Sequence, residues 1–245
     1  MTLALDPPSA ADRLAWSLKL YGAAGTARLA ASKVARRLRR QASDDAYTEW
    51  RDRLCDRRLN VETAAPVSPE ALALSPEDEA ARAAAVEYRP TSAADAAVML
   101  SRLPIDRPAT HFVDLGCGKG RVLALARSMG FAAVTGVEFS APLAEAARRN
   151  LVDCSLGGEA KAEVVVGDAA AFEPPAGPLV VYLFNPFGPA VLGPAVGRLE
   201  SSLEADPREC WVVYANALHR DCFGRRWQAA DAGDDWWAVY RWGGA

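Results

Sequence analysis

Histidine is almost absent from this chain: His111 and His219 are the only two among 245 residues. That argues against a histidine-rich metal centre and leaves two candidates for a histidine general base. Lysine is nearly as scarce, with Lys19, Lys33, Lys119 and Lys161 among 28 basic residues. The five cysteines (Cys55, Cys117, Cys154, Cys210, Cys222) are odd in number, and none shows the close pairing of a zinc site. They are expected to be reduced thiols in a cytoplasmic protein that holds no metal. No apolar run reaches the roughly 18–20 residues of a membrane span. The opening residues, with Asp6, Pro7 and Pro8, lack the charged-then-apolar layout of a secretion signal. The net charge of -3, from 28 basic and 31 acidic residues, shows no basic excess that would call for nucleic acid.

What is present is a globular balance, 51% hydrophobic and 24% charged. The charge is unevenly spread. Residues 1–43 carry eight basic residues against two acids, a balance of +6, which leaves -9 for the rest. A basic amphipathic helix can lie on an anionic membrane or grip nucleic acid. The simpler expectation is a helix over 10–43, bent near Gly22 and Gly25, that packs on its own domain. Pro66, Pro69 and Pro76 mark 61–80 as a linker or lid, followed by a short helix over 77–86. Thr91 and Ser92 offer an N-cap for a helix running to residue 103. Residues 1–87 are thus expected to form an N-terminal helical cap with its linker, and 88–245 the main domain.

After Pro108 apolar strands alternate with helices. Strands are expected at 111–115, 132–137, 162–166, 179–184 and 209–215, and helices at 120–129, 142–151, 189–203 and 218–224. Residues 226–230 and 236–242 close the chain as a two-stranded ribbon. Strict alternation with nearly all-apolar strands predicts an α/β fold, a doubly wound parallel sheet with ligands bound beyond the strand carboxyl ends.

Asp114-Leu115-Gly116-Cys117-Gly118-Lys119-Gly120 joins the first strand to the first helix. Glycines at alternate positions allow a sharp turn and a close approach of backbone to ligand. The spacing is GxGxG, neither the dinucleotide GxGxxG nor a phosphate loop ending in GK[ST]. Lys119 is expected in local packing or at the surface. The second strand ends at Glu138, about twenty residues past the loop, where a carboxylate can accept from both hydroxyls of a ribose. The third ends at Asp168-Ala169, where an acid and the next backbone N–H can meet an adenine edge. Either acid alone is equally a helix N-cap.

These features together resemble the class I S-adenosylmethionine-dependent methyltransferases over residues 88–242. The resemblance implies a seven-stranded Rossmann-like sheet with one antiparallel strand, and S-adenosyl-L-methionine as cofactor. Asp114, Gly116 and Gly118 would hold its methionine part, Glu138 the ribose, and Asp168 with Ala169 the adenine. Cys55–Thr63 and Tyr88-Arg89-Pro90-Thr91 also look like segments of a bacterial subgroup that carries DLGCGKGR and FNPF, which would place Tyr88 and Thr91 as a cover near the cofactor. Phe184-Asn185-Pro186-Phe187 is similar to the [DN]PP[YF] motif of amino-directed methyltransferases, with one proline fewer. There an Asn oxygen and a proline carbonyl accept from the target amine. Asn185 is therefore a candidate for both cofactor binding and catalysis, with Tyr182, Phe187 and His219 as further catalytic candidates.

The expected partner is a small-molecule or peptide acceptor offering an amine or hydroxyl. Two alternatives stay open: a cyclase that closes the cofactor's own chain into azetidine-2-carboxylate with release of methylthioadenosine, and an RNA methyltransferase using the basic arm. Oligomeric state is left open.

Overall fold

The apolar runs after Pro108 become the strands of one sheet. The computed structural model describes residues 9–38, 44–68, 72, 88, 90–155, 160–185, 187–231 and 236–243, with backbone alone for 32–38, 44–49 and 231. The strands are β1 (His111–Leu115), β2 (Ala133–Glu138), β3 (Lys161–Val166), β4 (Leu179–Phe184), β5 (Cys210–Ala215), β6 (Trp227–Asp231) and β7 (Trp237–Trp242). Their order across the sheet is β3-β2-β1-β4-β5-β7-β6. β1 to β5 pair in parallel, and β7 runs antiparallel to both β5 and β6. The seven-stranded, mostly parallel α/β fold is the one expected.

The helices in chain order are α1 (Ala10–Leu38), α2 (Asp44–Leu59), α3 (Ala93–Ser101), α4 (Arg121–Ser128), α5 (Ala141–Asp153) and α6 (Pro189–Ala205). Gly22 breaks the helical course of α1 with φ 67 and ψ 173, a conformation open to glycine at no Cβ cost. Gly25 stays helical and lies against Tyr21 instead. Ser92 caps α3 by accepting from the Asp95 N–H, as its position suggested. α3 ends two residues earlier than expected. The segment expected as a helix over 218–224 forms only a 3-10 turn at Arg220–Cys222, because His219 leaves the helical region with ψ 53. The helix expected over 77–86, with Pro69, Pro76 and Pro186, lies outside the described residues. α2 was not expected at all.

Strand residues alternate between two cores, as the pleat requires. Phe112, Val134, Val180, Tyr182 and Val213 face a core shared with α1 to α5. Val113, Val137, Val181, Val212 and Tyr214 face a core shared with α6. Leu20, Tyr21 and Leu29 of α1 and Cys55 and Leu59 of α2 belong to the same apolar cluster as Phe112, Tyr182 and Trp211. Each such side chain contributes ~1.5–3 kcal/mol through area removed from water. The N-terminal helices are therefore packed into the sheet's own core.

Candidate functional site

The carboxyl ends of β1, β2, β4 and β5 lie along one rim of the sheet, and the residues with chemistry collect there in two groups. The first surrounds the turn after β1. Gly116, Gly118 and Gly120 all take positive φ, at 80, 53 and 79. The N–H groups of Gly116 and Cys117 both donate to the Val137 carbonyl, at 2.8 and 3.1 Å, which moors the turn to β2. At Gly118 a side chain is excluded twice, by its φ and by Tyr88, whose ring carbon would lie 2.3 Å from an added Cβ.

Glu138 ends β2 with one carboxylate oxygen accepting the Gly118 N–H and the other the Ser140 N–H, each at 2.9 Å. Burial pushes this carboxyl up, and the two N–H donors pull it back. A carboxylate offers about four lone-pair sites, so two remain for a diol. Asp114 is 3% exposed. Burial raises its carboxyl well above the usual range, and the charge of Glu138 adds to the rise. A buried acid that feels the charge of a second, at the ends of adjacent strands, favours a cationic ligand. With a loop that admits backbone contact and a carboxylate that keeps free lone pairs, these residues fit a nucleoside that carries a cationic amino-acid end, the build of S-adenosylmethionine. Asp168 is exposed at the β3 end, and its Oδ1 accepts the Ala170 N–H at 2.8 Å as an N-cap; Ala169 is buried beside it.

The second group sits after β4 and β5. Asn185 takes φ 39, and its Oδ1 accepts the Tyr214 hydroxyl at 3.0 Å. The same hydroxyl accepts the His219 backbone N–H at 3.4 Å. Burial pushes the Tyr214 phenol up. Phe187 is half-buried against the α6-side core, and Phe184 pairs with Trp236 at 6.2 Å between centroids. Asn185 and the His219 backbone thus meet on the Tyr214 hydroxyl, one from the turn after β4 and the other from the turn after β5. Tyr182 does not join them: it is 1% exposed, packed against Phe112 and Trp237, with its hydroxyl on Thr91 Oγ1 at 3.1 Å. A ring so enclosed presents no face to a ligand, so its place is in the core beneath the site.

Tyr88 and Thr91 are brought to the first group by a buried polar network that the sequence did not signal. Arg121, the first residue of α4, is 2% exposed. Its guanidinium meets Asp56, Asp52, Thr63 Oγ1 and the Thr91 carbonyl. Tyr88 donates its hydroxyl to the Thr63 carbonyl at 3.0 Å. Lys119 is in local packing, its ammonium 3.0 Å from Glu62. An arginine directly after a glycine loop, on a helix face otherwise apolar, was the available signal; Tyr214 gave none, since a tyrosine in an apolar strand looks like core. No group of three or more potential metal ligands occurs among the described residues.

A family model described as "Methyltransferase domain" matches residues 112–188, which hold the glycine loop, Glu138, Asp168 and Asn185. No curated protein matches the chain. Among solved structures, the chain is similar to a predicted N6-adenine-specific DNA methylase from Listeria monocytogenes, at 15% identity and TM-score 0.49, covering 64% of this chain and 52% of that one. It is similar also to a TehB-like SAM-dependent methyltransferase from Corynebacterium glutamicum, at 16% identity and TM-score 0.44, covering 64% and 90%. An RNA methyltransferase from Salinibacter ruber in complex with S-adenosyl-L-homocysteine matches at 21% identity and TM-score 0.42, covering 62% and 92%. The chain spans about half the length of the first two solved structures it resembles. The match to the methyltransferase domain thus falls on residues 112–188, the stretch that carries the glycine loop and the first four strands of this sheet order.

Proposed function

We propose that the chain transfers a methyl group from S-adenosylmethionine to an amine or hydroxyl of a small molecule or peptide. The observation that supports this most is the Asn185–Tyr214 pair, one rim position away from the glycine loop. Bound S-adenosylmethionine supplies a methyl already activated by its sulfonium, so alignment and exclusion of water are the main tasks left to the protein. Asp114 and the turn at Gly116 and Gly118 hold the amino-acid end, Glu138 the ribose, and Asp168 with Ala169 the adenine side. Tyr88 and Thr91 cover the loop. Tyr214 occupies one lone pair of the Asn185 oxygen and so fixes its direction. The other lone pair accepts from the acceptor's N–H or O–H. Phe187 lines that acceptor, and His219 takes the proton it loses. Tyr182 acts from beneath, through Thr91. Residues 1–87 serve as the cap. The five cysteines, none of them in a disulfide, suit the cytoplasm, and no described helix is long and apolar enough to cross a membrane.

Incubation with S-adenosylmethionine and a panel of amines, phenols and peptides tests the reading. The expected product is S-adenosylhomocysteine that forms only with an acceptor and is lost in Asn185→Ala. Methylthioadenosine released with no acceptor would instead establish cyclisation, and product formed only with RNA would assign the basic arm to nucleic acid.

A further inference from the structure

The side chains at both ends of Lys119-Gly120-Arg121 turn away from the glycine loop and grip the segment 52–67. Arg121 holds three separate stretches of chain at once. Nε donates to Thr63 Oγ1 at 2.6 Å, Nη1 to the Thr91 carbonyl at 3.0 Å, and Nη2 to Asp56 Oδ1 at 3.0 Å. Asp52 Oδ1 lies 3.2 Å from Nη1 and is shared with Arg51. Asp56 also accepts the N–H groups of Thr63 and Ala64, and Thr63 donates its hydroxyl to Asp56, all at 2.6 Å. On the other flank the Lys119 ammonium meets both oxygens of Glu62 and the Ala65 carbonyl. Asn150 of α5 closes that side, donating to the carbonyls of Glu62 and Lys119 and accepting the Glu62 N–H.

A buried arginine with two buried acids adds little stability over an apolar cluster of the same volume, because the desolvation cost offsets the attraction. What such a network does supply is geometry, since the planar fork fixes every partner in one arrangement. The partners here lead to one place. Thr63 offers its carbonyl to the Tyr88 hydroxyl, and the Tyr88 ring rests on Gly118. Val67 and Tyr88 pair in both directions, at 2.9 and 3.3 Å, which fixes the Tyr88 backbone too. On its other side Gly118 donates to Glu138. Gly118 therefore lies between the ring that Arg121 seats and the acid assigned to the ribose.

We propose that Arg121 is a positioning residue for the cofactor, a latch by which the segment 52–67 seats Tyr88 on Gly118 and completes the cofactor site. This rests on the assignment of the loop to S-adenosylmethionine. Docking of 52–67 and binding at the loop are then one linked equilibrium, and each strengthens the other by the same factor.

The test uses the full chain, with S-adenosylhomocysteine as the probe. Calorimetric titration compares wild type with Arg121→Lys, which keeps the charge and loses the fork, and with Tyr88→Phe, which frees the ring from Thr63 and leaves the arginine network whole. Hydrogen exchange of 52–67 is followed with and without the probe. The latch predicts about tenfold weaker binding in Arg121→Lys and a smaller loss in Tyr88→Phe, tenfold being ~1.4 kcal/mol. It also predicts that the probe slows exchange of 52–67 in wild type and does so less in both variants. If Arg121→Lys does not fold, Tyr88→Phe alone decides. Wild type that fails to bind the probe overturns the cofactor assignment itself. Wild type that binds it while exchange of 52–67 stays unchanged, or a folded variant that binds as wild type does, overturns the latch.

Discussion

Asp114 is held where water would serve it better. Its carboxyl is raised by burial and by the neighbouring charge of Glu138, so its ionised form is disfavoured in the folded chain. A folded-state value above the unfolded one gives stability that is present at low pH and lost as pH rises through the folded value. Asp114→Asn removes that cost: at neutral pH the ligand-free variant is expected to melt above wild type, by ~2–4 °C per kcal/mol for a chain of this size. The gain should disappear in acid, where wild type is protonated as well. The same variant should bind S-adenosylhomocysteine at least ~10-fold more weakly, because its cationic amine loses the charge that faced it. Opposite signs for stability and binding cannot come from misfolding, and a variant that loses both contradicts the assignment. Wild-type affinity should rise with pH until Asp114 and Glu138 are ionised and then level off, which calorimetry across a pH series can read. At the second group, Tyr214→Phe leaves the Asn185 oxygen undirected. Turnover should fall by ~10-fold or more, a loss of the size expected when an orienting hydrogen bond is removed, with cofactor affinity kept. These residues differ in how openly the sequence declares them. The glycines and Glu138 stand out because a turn and a strand end have few uses for them. Tyr214 and Arg121 do not, because both sit in apolar stretches where burial alone explains a ring or an aliphatic stem.

Among the elements, the strands were legible and α2 was not. β1 and β4 fall on the residues expected, since runs such as Leu179–Phe184 are apolar throughout and bounded by proline and glycine. α2 hides for a physical reason. Asp52 and Asp56 lie one turn apart and face inward at 2% and 8% exposure, sharing the buried stripe with Cys55 and Leu59, so half of that stripe is acidic where a helix normally shows apolar residues. Both acids are met by Arg121, which reaches Asp56 from 65 residues away. The turn at 220–222 was misjudged in the opposite direction, since Phe223 leaves a helical course to stack on Tyr240 at 4.5 Å. In α1 the break at Gly22 was legible from the glycine itself. No atom lies within 4 Å of a Cβ added there, so Gly22→Ala meets no clash and pays only for its φ. The expected loss is ~1–3 kcal/mol, read by chemical denaturation with m unchanged.

The whole molecule is lopsided: α1 to α5 cover one face of the sheet, and α6 alone, among the described residues, covers the other. On that face Arg13 of α1 comes within 4.0 Å of Asp95 of α3. Leu20, at 0% exposure, anchors α1 in the shared core, so Leu20→Ala should cost ~2–5 kcal/mol and lower the melting temperature of the entire chain in one transition. Two separate transitions would instead mark the first 87 residues as an independent unit. All of this turns on whether the rim at β1 and β2 holds S-adenosylmethionine. Titration of S-adenosylhomocysteine into the full chain, wild type and Glu138→Ala side by side, asks that directly. One site per chain and at least ~10-fold weaker binding in the variant are expected, since Glu138, assigned to the ribose, also holds Gly118. Equal affinity in the two proteins would contradict that assignment.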